Sequence, residues 1–134
     1  MPVDTSRLVG PGTVLVDSSV WIRHLREEDA GVTRLMDNDL LVVHPAVVGE
    51  LACGNLPTRA ATLRLLTTLI RVPPAADAVV LRLIEAHGLS GRGVGWIDCH
   101  LLAACRLRGP SLWTRDRRLR EVAAEVLGEE RVWG

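Results

Sequence analysis

The chain contains no lysine, no phenylalanine and no tyrosine, and all sixteen of its basic residues are arginines. The absence of lysine argues against three kinds of protein that each need a specific lysine: P-loop nucleotide-binding proteins, Schiff-base enzymes and phosphoacceptor receiver domains. Sixteen acidic residues balance the arginines, so no net charge draws the whole molecule towards nucleic acid or an anionic membrane. Any such attraction must come from a local patch.

Cysteine and long apolar runs are also scarce. The three cysteines, Cys53, Cys99 and Cys105, show neither C-x-x-C spacing nor a matching histidine pair, so we predict small core residues and neither disulfides nor a zinc site. No apolar run approaches the ~20 residues that span a bilayer, and the N-terminus lacks the features of a secretory signal. We therefore expect a cytoplasmic protein without a membrane partner.

The length and composition predict one globular domain. The chain has 134 residues, of which 48% are hydrophobic and 24% are charged, the balance of a folded protein. Residues 1–12 include two prolines and two glycines and predict a loose N-terminal extension. The single domain is expected over residues 13–134.

Short apolar strands alternate with amphipathic helices. The predicted strands are TVLV (13–16), DLLVVHP (39–45), RVPP (71–74, at an edge) and SLW (111–113). The predicted helices are SSVWIRHLR (18–26, N-cap Ser18 or Ser19), PAVVGELACG (45–54), PTRAATLRLLTTLI (57–70), ADAVVLRLIEAHG (76–88), WIDCHLLAACRLRG (96–109) and RDRRLREVAAEVLG (115–128). Residues 88–95 predict a flexible loop. This alternation indicates an α/β fold with a mainly parallel sheet and helices on both sides.

Four acidic residues occupy positions that surface acids seldom take. Asp17 ends the first strand and Asp116 follows the last one, so both carboxylates should leave the same edge of a parallel sheet. Glu50 and Asp98 have apolar neighbours in predicted helices, which suggests that both are partly buried. Collecting four carboxylates without a counterion is costly because like charges repel, and a hard divalent cation such as Mg²⁺ or Mn²⁺ removes that cost. The chemistry that uses such a site is phosphodiester hydrolysis, so the set indicates a metal-dependent phosphodiesterase.

Each aspartate also has a purely structural interpretation. Asp17 and Asp116 could cap the helices that follow them, and Asp98 could stabilise a helix N-terminus through the dipole. Glu50 lies in mid-helix and caps nothing.

Four segments carry a resemblance to a known family. VLVDSSVWI, HPAVVGELACG, GVGWIDCHLLAA and LWTRDRRL resemble, in order and spacing, the four acidic motifs of the PIN domain, and in particular of the VapC toxins of bacterial type II toxin-antitoxin systems. The resemblance implies a three-layer α/β/α sandwich with a short, mainly parallel sheet. It also implies an Mg²⁺-dependent endoribonuclease, with Mn²⁺ as a substitute, that is silenced by a cognate VapB-type antitoxin and forms a homodimer.

Carried over residue by residue, the resemblance makes Asp17, Glu50, Asp98 and Asp116 the catalytic and metal-binding acids. Asp17 and Asp98 match the surest metal ligands of the family. Ser19 and Thr114 match supporting hydroxyl positions, although both could be ordinary hydrogen-bonding residues at a strand end.

Arginine is concentrated around the fourth acid, and we predict RNA contacts there. Phosphate contacts are expected from Arg115, Arg117 and Arg118, and base stacking from an exposed Trp96. The alternative for the arginines is a solvated helix face paired with Glu121 and Glu125. Trp21 and Trp113 are expected in the core.

Three other functions fit the chain less well. A catalytically silent PIN-like module that binds RNA or protein should have lost one or more of the acids, and this chain retains all four. A flap-endonuclease-type DNA nuclease would need a longer chain. A histidine-dependent ribonuclease is disfavoured because His100 and Asp98, two positions apart on one helix, would face different ways.

Overall fold

The computed structural model describes residues 9–134, and within them strands and helices alternate as expected. The strands are β1 (Val14–Val16), β2 (Leu41–Val43), β3 (Ile70–Arg71) and β4 (Ser111–Trp113). The helices are α1 (Ser18–Arg26), α2 (Ala30–Asp37), α3 (Pro45–Cys53), α4 (Arg59–Thr68), α5 (Asp77–His87), α6 (Trp96–Arg108) and α7 (Arg117–Leu127), followed by a 3₁₀ turn at Glu129–Arg131. Of the predicted N-terminal extension, residues 1–8 lie outside the described residues, and a turn from Gly10 to Thr13 leads into β1.

The four strands form one parallel sheet in the order β3-β2-β1-β4. Every residue of β1 and β2 is buried, because helices cover both faces of the sheet. A strand covered on both faces needs apolar side chains at successive positions, which is why these strands are uninterrupted runs of valine and leucine. The predicted α/β/α sandwich with a parallel sheet is confirmed, with β3 at one edge.

Most predicted helices are confirmed with their end signals. Pro45 is the first residue of α3, and Gly88 and Gly109 end α5 and α6 with positive φ angles of 59° and 100°. A residue with a Cβ atom is strained in that conformation, so glycine is favoured at both ends. Helix α7 buries one apolar face, made of Leu119, Val122, Ala123, Val126 and Leu127.

Four local predictions are wrong. The N-cap of α1 is Asp17 and neither of the two serines after it, because the Asp17 carboxylate accepts the hydrogen bond of the Ser18 backbone N–H. Strand β3 covers Ile70–Arg71, whereas the sequence predicted a strand over residues 71–74 and assigned Ile70 to the preceding helix, which ends at Thr68. Helix α2 was not predicted at all. Cys53 is exposed, whereas Cys99 and Cys105 are buried as expected.

The core lies on both sides of the sheet and includes Trp21, which is fully buried as predicted. Trp113 is only partly buried and packs against Trp133, with ring centroids 6.2 Å apart. Among residues 9–134, every helix is too short or too polar to cross a lipid bilayer.

Candidate active site

The carboxyl edge of the central strands brings the first and fourth motifs together. Strand β1 pairs in parallel with β4, and Val16 lies opposite Trp113. The Asp17 backbone N–H donates to the Trp113 carbonyl over 2.9 Å, which extends this pairing beyond the strand end. The residues after β1 and β4 therefore leave the sheet side by side, as the sequence predicts for Asp17 and Asp116.

Asp17 is the most deeply placed of the four acids, with 5% of its surface exposed. Its Oδ1 accepts the Ser18 backbone N–H at 2.8 Å. Its Oδ2 accepts two hydroxyls, from Ser19 at 2.8 Å and from Thr114 at 2.7 Å. A buried carboxylate needs hydrogen-bond donors, and charge-assisted bonds of this kind hold it in one orientation.

The two hydroxyls are themselves held by backbone groups. Ser19 Oγ accepts the Arg115 N–H at 3.0 Å, and Thr114 Oγ1 accepts the Asp116 N–H at 3.0 Å. Because each hydroxyl receives a hydrogen bond from the backbone, its proton is left to point at Asp17. The segment after β4 is thereby fixed to the first acid.

Glu50 reaches the site from α3, which packs against α1. His44 caps α3 with its Nδ1 atom, which accepts the Ala46 N–H at 3.0 Å, and Pro45 occupies the first helical position. The surface of Glu50 is exposed, so its predicted partial burial is wrong. Helical periodicity places Val47 and Leu51 in the core and turns Glu50 towards the solvent at the sheet edge.

Asp98 lies in the first turn of α6 and is half-buried, as predicted. Its Oδ2 accepts the Gly95 backbone N–H at 2.9 Å, which fixes the carboxylate to the end of the loop before the helix. Asp116 is exposed and caps α7 by accepting the N–H groups of Arg118 and Leu119, at 2.9 and 3.2 Å.

The charges of the four acids act on one another. Burial raises the pKa of Asp98, and the charges of Asp17 and Asp116 raise it further, while the Gly95 hydrogen bond opposes the change. Partial desolvation likewise raises the pKa of Glu50, followed by the charges of Asp17 and Asp98. Four carboxylates from four separate segments thus share one electrostatic environment.

The structural interpretation of the aspartates as helix-capping residues is correct, but it does not explain the whole site. All three bind backbone N–H groups at or near a helix start. Capping does not account for the two hydroxyls on Asp17 or for the raised pKa values of Glu50 and Asp98, because a cap needs neither a second carboxylate nor a buried one. A group of oxygen ligands for a cation would show both features.

The donor chemistry fits a hard divalent cation. Carboxylate and hydroxyl oxygens are the ligands preferred by Mg²⁺ and Mn²⁺, and mutual repulsion among the acids is relieved by such an ion. Within residues 9–134, however, no three His, Cys, Asp or Glu side chains converge as a preformed metal-binding group. A hard cation held at this edge would therefore need further ligands from water or from substrate phosphate, which is how Mg²⁺ is usually bound.

The predicted RNA contacts surround this edge. Arg115, Arg117 and Arg118 are all exposed, and Trp96, two positions before Asp98 on α6, exposes 43% of its surface, which confirms the exposed ring. Arg117 lies 3.3 Å from Glu121, as the alternative interpretation proposed, whereas Glu125 pairs with Arg92 at 2.8 Å. The Arg118 side chain packs closely against the glycine loop, residues 88–95. A Cβ atom built on Gly93 would lie only 2.6 Å from Arg118 Cδ.

Two features of the site were not predicted from the sequence. An apolar groove next to Glu50, about 300 Å³ in volume, includes Ile22, Leu25 and Leu56. His44 and His100 lie together behind the acids, with ring centroids 6.0 Å apart. The groove had a signal in the sequence, because Ile22 is an apolar residue on the polar side of the amphipathic helix α1. The contact between His44 and His100 had none, because the two residues come from distant segments.

Comparison with known proteins identifies the family. The PIN domain family matches residues 14–125. Ribonuclease VapC32 of Mycobacterium tuberculosis, in the CDC 1551 / Oshkosh and ATCC 25618 / H37Rv strains, is 44% identical over 121 residues, which are 87% of this chain and 98% of the relative. The crystal structure of PAE2754 from Pyrobaculum aerophilum has the same fold, with a TM-score of 0.62, 18% identity and 87% coverage of each chain. The chain belongs to the PIN domain family and, within it, to the VapC ribonucleases.

Proposed function

We propose that the chain is the toxin of a type II toxin-antitoxin system, an Mg²⁺-dependent endoribonuclease that cleaves RNA phosphodiester bonds. The observation that carries the proposal is the placement of Asp17, Glu50, Asp98 and Asp116 in one electrostatic environment, in which desolvation first, and the neighbouring carboxylates second, raise the pKa values of Glu50 and Asp98. The 44% identity to a ribonuclease over most of the chain supports the reaction type.

Asp17 and Asp98 are the proposed principal metal ligands, and Glu50 and Asp116 complete the acidic set. When bound, Mg²⁺ supplies charge neutralisation at the phosphate and lowers the pKa of a coordinated water, and Mn²⁺ can substitute for it. Catalysis in this proposal requires no histidine, and His44 is excluded as a general base because it is buried, with 2% exposure.

The chain's own residues keep the site in one arrangement. Ser19 and Thr114 hold the Asp17 carboxylate by its Oδ2 atom and leave its charge in place. Gly95 holds Asp98 in the same way through its backbone N–H. Preorganised charges need no rearrangement when charge develops on the reacting phosphate, which is the main source of rate in such sites.

RNA is the proposed substrate, held by its backbone on the arginines beside Asp116. Among residues 9–134, Arg115 and Arg118 have no acidic partner and can form bidentate phosphate contacts, whereas Arg117 must first leave Glu121. Trp96, at the start of the helix that carries Asp98, offers an exposed ring on which an unpaired base can stack. The chain has no Phe or Tyr for this purpose.

A VapB-type antitoxin is the proposed partner, and the groove beside Glu50 is its proposed docking site. The groove joins apolar side chains of α1 with Leu56 and Pro57, and Glu50 is one of its lining residues. A segment that combines apolar anchors with one basic side chain would fill the groove and neutralise the acid. A homodimer remains a proposal that rests on the family.

The test is cleavage of total RNA by the purified chain, separated from any partner, with Mg²⁺, with Mn²⁺ and with EDTA. Asp98→Asn is the matched variant, because Asn keeps the side-chain oxygen that accepts the Gly95 N–H while the charge is lost. We expect discrete fragments that require metal and disappear in the variant. If the folded wild-type chain cuts no RNA with either metal, the proposal fails in favour of a catalytically silent binding module.

A further inference from the structure

Two histidines connect the helices that carry Glu50 and Asp98. His44 lies between β2 and α3, and its Nδ1 accepts the Ala46 N–H at the start of that helix. His100 lies on α6, two positions after Asp98 and on a different side of the helix, and its Nε2 lies 3.3 Å from Asp77 Oδ1 on α5. The two rings meet edge to face, with centroids 6.0 Å apart and an interplanar angle of 62°.

Each ring has one buried nitrogen without a hydrogen-bond partner among residues 9–134. These atoms are His44 Nε2 and His100 Nδ1. Buried polar atoms are nearly always paired, with protein or with ordered water, so two such atoms on adjacent rings call for a common explanation.

The partners of the other two nitrogens assign the tautomers. Because His44 Nδ1 accepts a hydrogen bond, the neutral ring carries its proton on Nε2, which is a donor. Because His100 Nε2 faces a carboxylate, its proton belongs there, and Nδ1 is an acceptor. The two unpartnered atoms are therefore complementary.

The surroundings keep His44 neutral. Burial lowers the pKa of His44 to about 4, with smaller contributions from the neighbouring His100 and Arg71 side chains. A neutral ring whose Nδ1 accepts and whose Nε2 is protonated has no free lone pair, so His44 is excluded as a metal ligand. Its remaining capacity is to donate one hydrogen bond towards His100.

We propose that one water molecule accepts from His44 Nε2–H and donates to His100 Nδ1, and that this bridge makes the two histidines positioning residues for the acidic site. The second part rests on the proposed function. A water of this kind has two polar partners of the correct sense, and it connects the start of α3 with α6 and, through Asp77, with α5. Glu50 and Asp98 lie on the two bridged helices, so the bridge sets their separation. Trp96, with its ring centroid 4.7 Å from that of His100, supports the same side chain from outside.

Variants can separate the bridge from ordinary packing. His44→Asn keeps a short side-chain acceptor at the cap of α3 but removes the distal nitrogen. His100→Phe keeps an aromatic ring against Trp96 and removes both nitrogens. His24→Asn is the matched control, because His24 Nδ1 also accepts a backbone N–H, from Asp29 at 3.0 Å, but lies away from the acids.

The first readout is the Kd for Mn²⁺, measured by calorimetry on metal-free protein, beside the Tm of each variant. We expect each single variant to weaken Mn²⁺ binding about tenfold, as loss of supporting hydrogen bonds around a metal site typically does. The double variant should lose no more than either single variant, because the two rings act as one unit. His24→Asn should bind as the wild type does. An unchanged Kd in either single variant, whatever its Tm, or losses that multiply to about a hundredfold, would overturn the positioning role.

The second readout does not depend on metal. Imidazole ¹⁵N spectra at pH 7 should show both rings protonated on Nε2, with a slowly exchanging His44 Nε2 proton that exchanges faster in His100→Phe. A His44 ring protonated on Nδ1, or a His44 proton unaffected by His100→Phe, would overturn the bridge. If the wild-type chain binds no Mn²⁺, the proposed function and the positioning role fail together, and the ¹⁵N spectra alone decide the bridge.

Discussion

Replacing Thr114 by valine tests how the site holds its most buried charge. Thr114 is 3% exposed, and its hydroxyl donates to Asp17 Oδ2 over 2.7 Å while accepting the Asp116 N–H. Valine keeps the branched shape of threonine and removes the hydroxyl, so packing is preserved. The substitution leaves Asp17 with its contacts to Ser18 and Ser19.

The magnitude follows from the partners that remain. A hydrogen bond to a charged group contributes about 1.5–3 kcal/mol when its acceptor is buried. Water can reach the Asp116 N–H, because that residue is exposed, so its lost acceptor adds little. We therefore expect Thr114→Val to lower the free energy of unfolding by about 2 kcal/mol.

The assay is urea unfolding at pH 7 in EDTA, with Thr114→Ser as the control because serine retains the hydroxyl. The serine variant should lose much less stability than the valine variant. A loss below about 0.5 kcal/mol for valine, the range of ordinary surface changes, would show that the hydroxyl does not stabilise Asp17. Equal losses in the two variants would show that the effect comes from packing.

Three further predictions concern the acids, His44 and the glycine loop. Because burial and neighbouring charges raise the pKa of Asp98, the metal-free protein should lose stability as pH rises through that raised value, and Asp98→Asn should reduce this loss in thermal unfolding from pH 4 to 8. For His44 the pH dependence runs the other way, because folding lowers its pKa from 6.5 to about 4. As the pH falls through that interval, the free energy of unfolding of the wild type should decrease by up to about 3 kcal/mol relative to that of His44→Asn. Equal pH profiles of the two proteins would contradict this. Gly93→Ala introduces a Cβ atom at a residue with a φ of +81° and only 2.6 Å from Arg118 Cδ. The variant should therefore lower the free energy of unfolding by about 1 kcal/mol and, by displacing Arg118, weaken RNA binding in a filter assay. Unchanged RNA binding would show that Arg118 does not contact the substrate.

The strands and most helices could be predicted because their signals are local. Uninterrupted apolar runs mark β1 and β2, and Pro45, Gly88 and Gly109 mark helix ends at the observed positions. Helix α2 was missed because it is short and contains Gly31, although Asp29 caps it with two backbone hydrogen bonds. Its signal was an aspartate before a weak apolar pattern, which is also typical of a loop.

The candidate site was predicted as a set of residues but not as an arrangement. Sequence spacing placed Asp17 and Asp116 at one edge because parallel strands align their ends. It could not show that Glu50 is exposed, since that depends on the rotation of α3 against α1. Nor could it join His44 to His100, because contacts between distant segments leave no periodic pattern in the sequence.

The most direct test of the central claim is the anomalous scattering of Mn²⁺ in crystals of the wild-type chain and of Asp98→Asn. The account predicts an anomalous peak between the carboxylates of Asp17 and Asp98 in the wild type, and a weaker peak or none in the variant. A wild-type crystal without a peak at this edge, or a peak of equal strength in Asp98→Asn, would contradict the assignment of these acids as the metal site.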